Sequence, residues 1–114
     1  MSFNALELAP YLINSIGNQG YNNATPIQKQ AIPAILNGKD VLGIAPTGSG
    51  KTAAYALPII QNLAGNTKTK NRHINVLVLV PTRELATQVE KVFRSFSKEL
   101  PFRFKSMAVF GGAS

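Results

Sequence analysis

Residues 45–52 read Ala-Pro-Thr-Gly-Ser-Gly-Lys-Thr, a spacing suited to holding phosphate. Glycine at 48 and at 50 lets successive backbone N–H groups turn toward anionic oxygens with no side chain in the way. Lys51 can reach the outer phosphates of a nucleotide as a point charge, and the Thr52 hydroxyl can ligate a phosphate-bound Mg²⁺. Lys51 and Thr52 are therefore the catalytic candidates, Thr52 also the metal ligand, while Ala45, Pro46, Thr47, Gly48, Ser49 and Gly50 complete the cradle. Ala45 stands where the usual G-x-x-x-x-G-K-[ST] pattern begins with glycine, and alanine is small enough for the position. A chance glycine-rich turn is the plain alternative; the flanking residues, which read as a strand before and a helix after, speak against it.

A second constellation follows the apolar run Val76–Val80. Pro81-Thr82-Arg83 would lie at the carboxyl end of a buried strand, where open α/β sheets place ligands. A helix starting there, with Thr82 and Arg83, can hold a phosphate group. Arg83 could instead pair with Glu84 or Glu90. Gly111 and Gly112 would admit a sugar-phosphate backbone close to the main chain. Lys91, Arg94 and Lys98 read as a solvated helix face, and His73, the one histidine, has no neighbouring ligand and is given no role.

These residues need elements to position them. Leu12, Ile13 and Ile16 recur at helical spacing over 10–18, closed by Gly17 and Gly20. Thr25-Pro26 is a helix start, threonine capping and proline filling the first helical position. That helix ends at Asn37-Gly38, and Pro33 should kink or divide it. Val41–Ala45 reads as a short buried strand running into the phosphate loop, and Lys51–Leu63 as the helix after it, with Pro58 an internal irregularity. Residues 65–73 are polar and form an exposed loop. Val76–Val80 lacks polar alternation, as a strand covered on both faces does. Thr82 caps a helix running through about Glu99 that buries Leu85, Val89, Val92, Phe93 and Phe96. Phe104, Ser106, Ala108 and Phe110 alternate in a third strand stopped by Gly111-Gly112. Strand–helix–strand–helix–strand implies right-handed crossovers and a parallel sheet flanked by helices.

The chain of 114 residues can bury a core, and 45% apolar with 15% charged residues is globular rather than disordered. Cysteine is absent, which excludes a disulfide scaffold or thiolate metal site and fits a reducing, cytoplasmic setting. No basic leader precedes an apolar run, and no run is long enough to span a bilayer, so no membrane partner is expected. The net charge of +7 is uneven: residues 1–66 contribute +1 and residues 67–114 contribute +6. A basic half suits a polyanion such as nucleic acid, although a solvated face would look the same.

The segment "GYNNATPIQKQAIP" at 20–33, with Phe3 upstream, resembles the Q motif of DEAD-box RNA helicases. "APTGSGKT" at 45–52 is similar to that family's motif I, "PTRELATQ" at 81–88 to its motif Ia, and "FGG" at 110–112 to its double-glycine element. The four stand in the family's order and spacing and span essentially the whole chain. The resemblance implies a RecA-like P-loop α/β domain, incomplete here, with residues 1–38 as a Q-motif helical extension and 39–114 as the first βαβαβ portion. It implies ATP and Mg²⁺ as cofactors and sequence-independent RNA contacts through Pro81, Thr82, Arg83, Gly111 and Gly112. Phe3, Tyr21, Thr25 and Gln28 would join the nucleotide site, Tyr21 stacking on adenine and Thr25 bracing the motif. A glutamine amide can pair with adenine N6 and N7 together, a match worth about 1–3 kcal/mol in base discrimination, and Gln28 is the candidate reader. On its residues alone, Tyr21 would be a core aromatic and Gln28 an exposed helical residue.

The family's D-E-A-D and S-A-T sequences do not occur in these residues. The expectation is therefore the first part of domain one of an ATP-dependent RNA helicase, inactive by itself and partnered by a second RecA-like domain. A non-catalytic nucleotide-binding module, a DNA helicase or another P-loop ATPase remain as alternatives. In the RecA-like order the strand at 41–45 lacks its immediate neighbours among these residues. Rearranged pairing, self-association or marginal stability with a mobile phosphate loop is expected in consequence.

Overall fold

A Schellman turn closes the first long helix of the computed structural model, which describes residues 3–21, 23–46, 48, 50–64, 76–98 and 106–109. Helix α1 spans Pro10–Asn18. Its end is fixed by Gly20 N–H donating to the Gly17 carbonyl (3.1 Å) and Tyr21 N–H to the Ile16 carbonyl (3.1 Å). Gly20 takes φ 86°, the left-handed value that such a turn requires. Before α1, a 3-10 turn at Phe3–Leu6 carries two apolar side chains into the core.

Helix α2, Pro26–Leu36, starts with a reciprocal capping box. The Gln28 N–H donates to the Thr25 hydroxyl (3.4 Å), and the Thr25 N–H donates to Gln28 Oε1 (2.9 Å). Two of the donors stranded at a helix start are thereby satisfied. The helix runs unbroken through Pro33, so the expected division does not occur; one backbone donor is lost and packing against α3 holds the rest. A second Schellman turn ends it, with Gly38 at φ 76° and Lys39 N–H bonded to the Ala34 carbonyl at 3.0 Å.

Helix α3, Lys51–Ala64, buries Ala53, Ala56, Leu57, Pro58 and Ile60. Helix α4, Arg83–Ser97, is capped by Thr82, whose hydroxyl accepts from Leu85 N–H at 3.1 Å. It buries Val89, Phe93 and Phe96, with Leu85 and Val92 at the margin of the core. The four helices and the 3-10 turn share one core, in which Phe3, Leu12 and Ile32 meet Leu57, Ile60 and Phe96. Among the described residues no helix is long and apolar enough to cross a membrane.

The expected strands are where sequence and structure part. Among the described residues, 41–46, 76–80 and 106–109 carry no strand assignment, and the regular elements are all helical. Phe104 and Phe110 lie outside the described residues. The parallel sheet is thus not formed, because a ladder needs a neighbour about 4.8 Å away and these three segments do not pair with one another. Burial nevertheless alternates along 76–80, which the uniformly apolar run did not lead one to expect. Val78 and Val80 pack against the helical core, while Leu77 and Leu79 are 73% and 83% exposed. Val76–Val80 is therefore covered on one face only, not on both. Leu42, Ile44, Met107 and Val109 are likewise exposed, and Val41–Ala45 is not a buried strand.

Candidate functional site

The phosphate loop is shaped by two glycines. Gly48 and Gly50 adopt φ 85° and 87°, a region that costs other residues about 1–2 kcal/mol. Thr47 and Ser49, also expected in the cradle, lie outside the described residues. Helix α3 begins at once: Ala54 N–H is the first to reach a carbonyl of its own helix, that of Gly50, at 3.1 Å. The N–H groups of Lys51, Thr52 and Ala53 precede it and have no such partner within the helix. They add the positive end of α3 to the exposed Lys51 ammonium and the half-buried Thr52 hydroxyl. This donor set fits a polyphosphate, and Thr52 would supply one oxygen to a phosphate-bound Mg²⁺. Among the described residues no cluster of three His, Cys, Asp or Glu side chains could hold a metal by itself.

The start of α2 is locked onto this loop. Gln28 is 1% exposed, although helical periodicity alone would leave it in solvent. Its Oε1 is held by Thr25 N–H, and its Nε2 donates to the Gly50 carbonyl at 3.2 Å. The packing is close: a Cβ added to Gly50 would come within 2.3 Å of Gln28 Nε2 and 3.3 Å of Thr25 Oγ1. Each end of the amide retains one further hydrogen-bonding position. Beside it, Pro26, Ile27 and Gln30 of α2 face Ile44, Ala45 and Pro46 across an open groove of about 370 Å³. Gln30 was not singled out in the sequence; its position on the capped first turns of α2 was the signal.

The aromatic candidates separate. Phe3 is 4% exposed and belongs to the core. Tyr21 is 42% exposed, with its ring 5.9 Å from that of Phe96 at a tilt of 40°. One side of Tyr21 is thus backed by α4 while much of the ring remains open. Pro81, Thr82 and Arg83 are exposed together at the start of α4, but the Thr82 hydroxyl is already engaged as the cap. The Glu90 carboxylate is shared, one oxygen on Arg94 at 3.1 Å and the other accepting from the Ser106 hydroxyl at 2.7 Å. Gly111 and Gly112 lie outside the described residues. Thr25, Gln28, Gly50 and the head of α3 therefore form one site, while Thr82 and Arg83 head a separate helix.

Residues 25–114 match the model of the DEAD/DEAH box helicase family. The chain is similar to the ATP-dependent RNA helicase DeaD of Buchnera aphidicola subsp. Acyrthosiphon pisum, 50% identical over 97 residues, covering 85% of this chain and 16% of the relative. It is 46% identical over 114 residues to the DEAD-box ATP-dependent RNA helicase RhpA of Helicobacter pylori, covering 99% of this chain and 22% of RhpA. The chain thus spans about a fifth of the length of the curated relatives it matches. Among solved structures, the RNA helicase Prp28 from Chaetomium thermophilum bound to ADP matches at TM-score 0.85 and 39% identity, covering 99% of this chain and 27% of that one. A DEAD box protein from Methanococcus jannaschii matches at TM-score 0.85 and 36% identity, over 100% of this chain and 30% of that one. The backbone course is therefore that of a helicase domain, even where the expected strands form no ladder. With a family match over most of its length and a backbone course shared with solved helicase structures, the chain belongs to the DEAD/DEAH box helicase family.

Proposed function

We propose that this chain supplies the adenine and phosphate subsites, and one part of the RNA track, of an ATP-dependent RNA helicase that unwinds short duplexes or remodels ribonucleoprotein. The observation that carries the reading is the Gln28 amide bonded to the Gly50 carbonyl, which joins a base-reading side chain to the loop that cradles phosphate. In this reading residues 1–38 are a helical extension and 39–114 the opening of the RecA-like portion. Lys51 and the first N–H groups of α3 take the β- and γ-phosphates, with Thr52 on Mg²⁺. Ala45, Pro46, Thr47, Gly48 and Ser49 shape the cradle. Tyr21 stacks on adenine, and the Gln28 amide turns part of its hydrogen-bonding capacity to adenine N6 and N7. ATP supplies the phosphoanhydride whose hydrolysis drives the cycle.

Pro81, Thr82, Arg83, Gly111 and Gly112 meet the RNA backbone without reading bases. A second RecA-like domain completes the enzyme, the setting is cytoplasmic, and the chain by itself binds nucleotide without turning it over. Its exposed apolar segments favour self-association when nothing else covers them.

Titration of ADP and GDP against the chain and against Gln28→Ala tests the base reading. The parent should prefer ADP, since guanine offers only acceptors at N7 and O6, and Gln28→Ala should lose that preference. Equal affinity of the parent for both nucleotides overturns it. Lys51→Ala should lose ADP binding with an unchanged circular dichroism spectrum; ADP affinity equal to the parent's removes Lys51 from the site. ATP hydrolysis measured with and without RNA separates a binding module from an enzyme, and parallel RNA and DNA duplexes separate the two kinds of helicase.

A further inference from the structure

The end of α1 and the end of α4 are fastened together by side chains remote in sequence. The last carbonyls of a helix have no partner within it. In α4 two of these, those of Ser95 and Phe96, are met by α1. Gln19 Nε2 donates to the Ser95 carbonyl at 3.0 Å, and the Ser15 hydroxyl to the Phe96 carbonyl at 3.4 Å. The clasp is closed by Gln19 Nε2 donating to Ser15 Oγ at 3.2 Å and by the Ser95 hydroxyl, whose single proton is shared between Gln19 Oε1 at 3.1 Å and the Val92 carbonyl at 3.0 Å. Ser15 is buried, so its hydroxyl is a committed group rather than a surface one.

Two residues beyond Gln19, Tyr21 is held by its backbone in the Schellman turn on Ile16 and by its ring against Phe96. The main chain that carries Tyr21 and the aromatic surface behind it are both anchored at this clasp. An aromatic platform stacks best when its plane is fixed before the base arrives, because ordering it on binding subtracts from affinity.

We infer that Gln19, bonded to Ser95, is a positioning residue for the nucleotide base: it holds Tyr21 against Phe96 so that the open side of the ring is preset to stack. This rests on the proposed role of Tyr21 at the adenine subsite and adds to it residues of α1 and α4 outside the motifs. It also makes α4 a common support, its C-terminal end behind the base and its N-terminal end carrying Thr82 and Arg83.

Calorimetric titration of the 114-residue chain with ADP and with inorganic pyrophosphate, in magnesium buffer, tests it. Pyrophosphate uses the phosphate loop but has no base. Tyr21→Ala should weaken ADP on the order of tenfold, the loss of one stacking partner, and leave pyrophosphate unchanged. Gln19→Ala should weaken ADP about three- to tenfold with pyrophosphate unchanged, and the double variant should bind ADP no worse than Tyr21→Ala. Gln19→Glu, which keeps side-chain size and the acceptor for Ser95 but loses both donors, should show the same split and serves where the alanine variant folds poorly by circular dichroism.

Equal loss of both ligands in the Gln19 variants, or no loss of ADP in them while Tyr21→Ala loses it, overturns the positioning role and spares the base subsite. ADP affinity unchanged in Tyr21→Ala, or a parent chain that does not bind ADP, overturns the base-subsite reading and this inference with it.

Discussion

Gly50→Ala and Gly48→Ala place the same methyl group on two glycines of the same loop with nearly the same backbone angles, φ 87° and 85°. Both variants incur the left-handed penalty, about 1–2 kcal/mol. They differ in what the methyl meets. At 48 nothing lies within 4 Å, whereas at 50 the new Cβ falls 2.3 Å from Gln28 Nε2 and 3.2 Å from its Cδ. The Gln28 side chain must then leave the Gly50 carbonyl, stranding a buried amide at a further cost of about 1–3 kcal/mol. Gly50→Ala should therefore cost about 2–5 kcal/mol against about 1–2 for Gly48→Ala. Urea unfolding followed by circular dichroism reads the difference as a shift in midpoint at constant slope. In a Gln28→Ala background the main obstacle is gone and only the tight approach to Thr25 Oγ1 at 3.3 Å remains, so the two glycine variants should move closer together. Equal midpoints for Gly48→Ala and Gly50→Ala in the parent background would refute the Gln28–Gly50 contact.

Thr25→Ala should destabilise the chain by about 0.5–2 kcal/mol by opening the capping box, and Thr25→Ser should restore most of it in the same unfolding experiment. Arg83→Ala should weaken RNA binding to the same degree for every sequence and reduce its salt dependence, measured by fluorescence anisotropy at several salt concentrations; a loss confined to one sequence would contradict backbone recognition. Burial raises the Tyr11 hydroxyl pKa above its ordinary 10.0, so the unfolded chain deprotonates first. Stability from this group is complete below pH 10 and falls as pH climbs through the higher folded value. Tyr11→Phe should lack that component of the alkaline decline in thermal unfolding; an identical alkaline decline in the two proteins would remove it.

What the sequence disclosed was local. Thr25-Pro26 and Thr82 marked helix starts because the capping atoms sit within three residues of the groups they satisfy. Gly20, Gly38, Gly48 and Gly50 were legible because glycine takes left-handed angles without the steric cost other residues meet. The burial of Gln28 was hidden because its partner Gly50 is 22 residues away, and the Gln19–Ser95 clasp because 76 residues intervene. Phe3 was assigned to the nucleotide site by the family resemblance alone; the 3-10 turn places its side chain in the core. The strands failed differently. The unbroken apolar run 76–80 and the alternation over 104–110 were both read as strands, but pairing belongs to two segments at once and no single run of residues contains it.

The apolar layer left open by Leu42, Ile44, Leu77 and Leu79 has a consequence for local stability. The helices share a common core with their caps in place although the described residues form no ladder, so the packing of the helical layer does not depend on a sheet. Slow-exchanging amides should then fall in α1 through α4 and fast ones in 41–46 and 76–80, with the open layer the first surface a chaperone would engage.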